Sequence, residues 1–519
     1  MPNSILRKVD SFLEKVEQAS FELELTYIKD NIRGEYQNEI LNFKKALIKT
    51  SDNGFEVKIT MDSDFDGYAS AKALYKIVRL LGIPEGRIQL LPLSSLHINE
   101  DILDLENTLL LVSDTSYGHV PFKVKNCPVI WIDHHSIRTL DLIRARSAVG
   151  GDGVFLNTSI SGHEKIRGLS CASFIYCFIS VIIEDLGLNL ENERYLMESF
   201  DSQSRLDCML SLISDVMRIE SYIGLIKGAY EANKPPLYEM TKGYFDFSNK
   251  RYFKSYIAII NNLIRRECHG LLEKVIKDEV LHDTVREIEL LEEDKKIILK
   301  QYFNPCQPKH RIDGGGGYIE IYELPLAKNL IMRNYKGFLA SIKTPKQGAF
   351  VTLSYYVDKG VGYFSCRTNA DLDLKKYILD NGIKPIKMGG HFEAFGIELR
   401  ESDIPAMLEV LKTVKVTEKS REDRLVKYRN LGGDYRTVCN LALYNEFHSE
   451  EISIEFEEND YVGISEEPRR TLYHIPTSNG RQLDVVSFDL GIIKPEIIAK
   501  PILKKSLYDW DCIDICEFS

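Results

Sequence analysis

The chain runs to 519 residues, more than one hydrophobic core commonly serves, so two or three domains are expected. Its 44% hydrophobic and 28% charged content exclude a fibrous or disordered chain. A formal net charge of -11 excludes a protein that coats nucleic acid through bulk positive charge, yet it suits an enzyme whose clustered carboxylates are offset by bound cations.

Residues 1 to about 55 read as helices, with Ile40, Leu41, Leu47 and Ile48 recurring at helical spacing among charges. The opening MPNSILRKVD has no apolar stretch of the secretory kind. From Phe55 the character changes: strand-like VKIT leads into an acidic turn, a helical stretch from Ala69 to Leu81, and then the strand-like runs RIQLLPL, TLLLVSD and PVIWID. Short apolar runs alternating with helical segments define an α/β domain with a doubly wound parallel sheet, placed over residues 56–222. Its longest apolar run, GLSCASFIYCFISVII, is shorter than the ~20 residues that cross a bilayer and suits a helix buried against a sheet. The expected location is the cytoplasm, away from membranes.

After LDCMLSLISDVMRIE, residues 223–317 form a helical connector, with a mixed-charge helix or helix pair from Leu271 to Phe303. Gly314 to Gly317 reads as a flexible hinge, because no Lys-Ser/Thr follows and no strand clearly precedes it. Beyond it YIEIYEL, AFVTLSYYV and GYFSCRT read as strands, and KMGGHFEAFGIEL as a glycine turn feeding another regular element, which together make a smaller α/β domain over 318–413. EISIEFE and LDVVSFDL make residues 414–519 a β-rich terminal domain without a chemical motif. The ten cysteines show no CxxC pair and no zinc-finger spacing, Cys512 and Cys516 being the nearest approach, and read as reduced, mostly buried thiols.

The chemistry lies in the first domain. Asp62, Asp64 and Asp66 occur as MDSDFDG just after a strand; in an extended segment residues two apart point the same way, so alternate carboxylates can converge on one cation, and Gly67 lets the chain turn sharply into a helix. A calcium loop is excluded, since its twelfth position counted from Asp62 is Ala73 rather than Glu. Asp114 ends LLLVSD, and Asp133, His134 and His135 end VIWID, at the carboxyl ends of parallel strands where open α/β sheets place their ligand crevice. Taken singly, an Asp after a strand is a turn or cap and a His is a surface or core residue; together at three strand ends they mark an active site. Carboxylates with a little imidazole suit a hard divalent cation of the manganese or magnesium kind.

MDSDFDG, VSD at Asp114, IDHH at 132–135 and LISDVM around Asp215 resemble, in this order, the four successive motifs of the DHH phosphoesterases, and the last is similar to the RecJ branch. LSCASFIY resembles the RecJ segment after its DHH motif, while SCRT at 365–368 and GGHFEAFG at 389–396 resemble the DHH-associated C-terminal domain. The likeness covers about residues 40–225 and 335–410. Departures are Met61, where RecJ enzymes usually carry Gly, and Thr115-Ser116, where they tend to have a small residue and Gly; the segment from 223 to 310 matches nothing in the family.

The resemblance implies a two-metal phosphodiesterase, foremost a single-strand DNA exonuclease acting 5′ to 3′, with Mn2+ favoured and Mg2+ the alternative. It implies that Asp64 holds one ion, Asp66 and Asp215 the other, with Asp114 bridging and His134 ligating. Asp62 would ligate or orient the attacking water, and His135 would contact the phosphate or brace a ligand. Arg367, Gly389, Gly390 and His391 would grip the substrate. Two other functions fit the same motifs: a phosphodiesterase for short oligonucleotides or cyclic dinucleotides, and a non-catalytic replication or repair scaffold.

Overall fold

The computed structural model describes residues 2–517 apart from 93–105, 116–127, 136, 138, 150–152, 187–199, 216, 218–220, 233–236, 238–251, 281, 325–332, 346–347, 391–392, 418–424, 449–451, 468–469, 479, 481, 488–495 and 504–512. Three helices lead: α1 (Pro2–Gln18), α2 (Phe21–Glu35) and α3 (Gln37–Asp52). In α2, Phe21, Leu25, Ile28 and Ile32 are buried at intervals of three and four, the stripe that turns a helix toward a core.

Five strands follow in one sheet: β1 (Glu56–Met61), β2 (Ile88–Pro92), β3 (Thr108–Ser113), β4 (Val129–Asp133) and β5 (Val154–Asn157). They pair in the order β2-β1-β3-β4-β5, all parallel. Alternation explains why the strands read as unbroken apolar runs. Leu109 and Leu111 join the large core with the N-terminal helices, whereas Leu110 and Val112 pack on the opposite face with Trp131 and Phe155. Both faces are covered, as a doubly wound sheet requires. The fifth strand, VFLN, escaped the sequence reading because it is only four residues long.

One helix begins earlier than its periodicity suggests. α4 spans Phe65–Leu80 rather than starting near Ala69, because Asp64 caps it: the Asp64 backbone is extended and its carboxylate accepts the Gly67 N–H at 3.1 Å. The MDSDFDG segment is therefore not an extended run with its acids on one side. Asp62 follows the strand, Asp64 is the cap, and Asp66 lies inside the first helical turn.

The glycine run is not a hinge. Strand β6 (His310–Asp313) pairs antiparallel with β7 (Tyr318–Glu323), Asp313 opposite Tyr318, so residues 314–317 are the turn of a hairpin. Gly314 N–H donates to Gly317 O at 2.8 Å, the Asp313 carboxylate accepts from Gly315 N–H at 2.8 Å, and Gly315 has φ 77. A domain boundary at 317/318 would cut this hairpin in two; the second sheet begins at His310, where the short, polar HRID hid a strand. The sheet continues with β8 (Phe350–Asp358), β9 (Val361–Thr368), β10 (Lys387–Gly390) and β11 (Ala394–Arg400) in the order β10-β11-β9-β8-β7-β6. Gly389 and Gly390 lie within β10, paired with Gly396 and Phe395, and are strand residues rather than a turn.

Between the two sheets in chain order lie the helices Tyr252–Arg265, His269–Ile276 and His282–Ile298. Lys277 pairs with Glu85 of the first domain at 2.7 Å, and Arg266 Nε donates to the buried Tyr335 hydroxyl of the second at 3.0 Å. The last region forms a seven-stranded sheet: β12 (Leu425–Lys427), β13 (Ser453–Glu457), β14 (Gly463–Glu467), β15 (Arg470–Pro476), β16 (Gln482–Ser487), β17 (Glu496–Leu503) and β18 (Ile513–Glu517), with the helix Tyr435–Phe447 against it. Phe12 of α1 meets Tyr444 of that helix edge-on, ring centroids 5.5 Å apart, and one apolar cluster runs from α1 into this sheet. Among the described residues, no helix is long and apolar enough to cross a membrane.

The hairpin is testable. A Cβ on Gly317 would meet Ala349 O at 2.1 Å. Gly317→Val is expected to cost about 2–3 kcal/mol in denaturant unfolding, whereas a hinge glycine would accept valine with little loss.

Candidate metal centre

Strand order reverses between β1 and β3: the chain leaves β1 toward β2 on one side and continues through β3, β4 and β5 on the other. At such a switch point the loops diverge and leave a crevice beyond the carboxyl ends of the strands. Ile59 lies opposite Leu111, Ser113 opposite Ile132, and Asp133 opposite Asn157, so the strands end level at one rim.

Each acid is fixed differently. Asp66 accepts the backbone N–H of Cys171 at 2.8 Å and of Ala172 at 2.9 Å, at the start of the helix Cys171–Leu186, whose N-terminus favours a carboxylate. Gly67 is required by a close approach, for a Cβ there would lie 2.7 Å from both the backbone N and the Cβ of Asp62. Asp114 takes the left-handed conformation, φ 56, which costs a residue with a side chain about 1–3 kcal/mol. That turn is pinned by Asp114 N–H donating to Ile132 O at 3.0 Å and by Trp131 Nε1 donating to Thr115 O at 2.9 Å. Asp215 closes the helix Arg205–Ser214.

These elements converge on one imidazole. His134 Nε2 lies 3.3 Å from Asp114 Oδ1, 3.2 Å from Asp215 Oδ2 and 3.7 Å from Asp66 Oδ2. Two sets of donor atoms are close enough to hold a cation: Asp66, His134 and Asp215, and Asp114, His134 and His135, each within 4.8 Å of one another. Asp114 Oδ1 is buried with no hydrogen-bond partner. Asp62 and Asp64 stand beside these sets without entering them, and Asp64 spends one oxygen on its helix cap. His135 is nearer the centre than the sequence suggests, and its Nδ1 bonds Asp133 Oδ1 at 2.7 Å. Asn157 braces that pair, donating to Asp133 Oδ2 at 3.2 Å and to the His135 carbonyl at 3.0 Å.

The electrostatics demand a cation. Burial first, then the charge of Asp215, pushes the Asp66 carboxyl well above the usual range against the pull of its two N–H bonds. Asp114 is pushed up by burial and by Asp66 and Asp64, and Asp64 by burial and Asp215. Part-exposed Asp62 is raised to about 7 by its enclosure and by Asp64. Conversely, burial pulls His135 down, but Asp133 outweighs it and brings the imidazole to about 9. Carboxylates crowded this closely share their charge with protons or with a metal. Their oxygens with two imidazoles are the donor set a hard divalent ion takes.

Three cations run in a chain of mutual interactions that begins at this acidic rim. Arg265 ends the connector helix Tyr252–Arg265 and feels the charge of Asp64; Arg367 of β9 feels Arg265; Lys336, which opens the helix Lys336–Lys343, feels Arg367. Burial lowers the pKa of all three, because no carboxylate close by fully offsets it. A Cβ on Gly337 would lie 3.4 Å from Arg367 Nη2, so that helix start and Arg367 abut. His391 lies outside the described residues. The sequence reading missed Arg265 and Lys336, which stand in segments without a motif. It also missed Asn157, although VFLN ends on a polar residue at the same rim as the strands that end on acids.

The parallel sheet with acids and imidazoles at its switch point, followed by a second mixed sheet, is a fold similar to that of solved RecJ structures. No family model matches the sequence, and no curated protein does. In three dimensions the chain is similar to RecJ from Thermus thermophilus in complex with Mn2+, at 14% identity and a TM-score of 0.59, covering 92% of this chain and 71% of that one. The same protein in complex with Mg2+ gives 14% identity and a TM-score of 0.54 over 92% and 70%.

Without metal the crowded carboxyls hold protons that the unfolded chain releases near pH ~4, so stability falls as pH rises through that range toward about 7, the Asp62 value. His135 acts in the same direction later: its contribution is lost only as pH climbs through about 9. In chelator, the melting temperature is expected to fall from about pH 5 to about pH 7, and the increment produced by Mn2+ to grow over the same interval as the cation replaces protons. Calorimetry that finds a flat profile and a pH-independent Mn2+ increment would contradict the crowding.

Proposed function

We propose that this protein is a metal-dependent phosphodiesterase that cuts single-stranded nucleic acid, DNA foremost, working from the 5′ end. The observation that supports this reading is the pairing of two opposite fields: carboxylates and imidazoles gathered on the sheet rim, and a chain of half-buried cations, Arg265, Arg367 and Lys336, that starts beside Asp64 and is not fully offset by nearby carboxylates. A phosphodiester chain satisfies both at once.

In this reading Asp66, Asp215 and His134 hold one divalent ion. Asp114 would hold a second ion together with His135 or Asp64, since a single imidazole nitrogen serves only one metal. Bound there, the pair lowers the pKa of water and neutralises charge on the phosphoryl oxygens. Mn2+ is favoured and Mg2+ is the alternative. The protein's own groups do the rest. Asp62 would orient the attacking water and take its proton at a carboxylate oxygen. His135, its Nδ1 committed to Asp133, presents Nε2. Arg367 forks onto a phosphate as a lysine would not, and Arg265 holds the chain between that phosphate and the metals. Gly389 and Gly390 keep β10 slim where the nucleotide lies, and His391 donates to the terminal phosphate.

Purified protein supplied with Mn2+ is expected to shorten an end-labelled single strand from its 5′ end, more slowly with RNA, and to stop on addition of chelator. Cleavage of a dinucleotide alone would assign it to short oligonucleotides, and binding without cleavage would make it a scaffold. Asp114→Ala is expected to lower kcat by 100-fold or more, on the order of what losing a metal bridge costs, with the far-ultraviolet spectrum unchanged. Arg265→Gln and Arg367→Gln are each expected to raise KM about tenfold or more while Mn2+ affinity stays put, as read by steady-state kinetics and calorimetric titration.

A further inference from the structure

Asp66 and Asp215, read above as ligands of one ion, come from different helices, and the repulsion between the two carboxylates calls for a tie between those helices. The tie lies deeper. Lys72 is on α4, six residues after Asp66, about 9 Å along the axis; its ammonium reaches Asp207 Oδ2 at 2.7 Å, and both side chains are wholly buried. Asp207 is on the helix Arg205–Ser214, eight residues before Asp215. Lys72 Nζ also lies 3.5 Å from Asp278 Oδ1, and Lys76, one turn further along α4, pairs with Asp278 Oδ2. Asp278 follows the connector helix His269–Ile276 in the left-handed conformation, φ 60. Beside them the Tyr68 and Tyr256 hydroxyls meet at 3.4 Å, joining α4 to the connector helix Tyr252–Arg265. Two ammonium and two carboxylate groups thus balance inside an otherwise apolar core that three elements share.

We infer that Lys72 is a positioning residue for the metal centre: through Asp207 and Asp278 it sets the rotation and spacing of the Asp66 and Asp215 helices and of the connector that carries Arg265. This rests on the reading of Asp66 and Asp215 as ligands. The core does not need the charges in order to cohere, because well-packed apolar side chains commonly replace a buried ion pair without loss of stability. What such a pair adds is a single geometry, since an ammonium between two carboxylates has one preferred position and an apolar contact has many. α4 alone has 15 of its 16 residues buried, so a small rotation of that helix moves Asp66 and reaches His134 directly.

The sign of the effect separates positioning from mere field. Removing a positive charge from beneath the site would by itself tighten the binding of a divalent cation. Loss of geometry weakens it, by about tenfold, the lower range for residues that orient metal ligands. The experiment titrates the full chain with Mn2+ alone, by calorimetry, and records thermal unfolding in chelator. Lys72→Met is expected to weaken Mn2+ binding about tenfold. Lys72→Arg, which keeps the charge and the pair, should stay near wild type. The double variant Lys72→Met/Asp207→Leu should recover unfolding temperature without recovering Mn2+ affinity. Unchanged or tighter Mn2+ binding in Lys72→Met, or recovery of both properties in the double variant, overturns the inference. A wild-type chain that binds no Mn2+ overturns instead the reading of Asp66 and Asp215 as ligands.

Discussion

Mutual repulsion among carboxylates that share one buried crevice is the constraint around which this molecule is arranged. Asp215 raises the proton affinity of Asp64 and Asp66, which in turn raise that of Asp114, and a chain left to itself would separate these groups. The fold prevents this with fixed geometry. Two backbone N–H groups at a helix start hold Asp66, a left-handed turn pinned from β4 holds Asp114, and a helix end holds Asp215. Confinement of that kind stores energy that only protons or cations release, so affinity for metal is built into the architecture rather than added by any one ligand.

The second field is the complement of the first. Arg265, Lys336 and Arg367 are enclosed at the cost of their hydration, and the carboxylates near enough to feel them, Asp64, Glu292 and Glu398, do not make good that cost. These cations are thus left only partly compensated beside an acidic rim, an imbalance that the proposed phosphodiester would relieve. The connector is central to this arrangement. Its helix Tyr252–Arg265 ends in Arg265, and the connector bonds the second domain through Arg266 and Tyr335 and reaches under α4 through Asp278. A glycine hinge would have left the two fields free to drift; a hairpin turn at the same residues leaves the connector to hold their separation.

Individual elements show why some of this was legible in sequence and some was not. The strands β1, β3 and β4 are apolar on both faces and end in acids or imidazoles, a pattern that needs no partner to be recognised. β5 and β6 are four residues each, and β6 alternates polar residues at the edge of its sheet, so neither carries enough periodicity to stand out. The start of α4 was read four residues late because its cap, Asp64, looked like one of three equivalent acids; only the carboxylate bonded to Gly67 N–H distinguishes it. Glycines misled twice for one reason. Their conformational freedom fits a hinge or a turn, but strand pairing, which is a matter of distant partners, placed Gly314 to Gly317 in a hairpin and Gly389 and Gly390 in β10.

By itself the amino-acid order determined the α/β class, the strands that bear acids and imidazoles, and the resemblance to the DHH phosphoesterases, because these rest on local periodicity and on residues adjacent in the chain. Tertiary structure alone decided which of those acids lie within reach of one another, that His135 is turned onto Asp133, that Arg265 feels the charge of Asp64, and that Lys72 joins the helices of Asp66 and Asp215 through Asp207. Each of those facts depends on charges brought within a few ångströms from positions up to about two hundred residues apart. Coulomb interaction in a buried site follows distance in space, and distance along the chain carries no record of it.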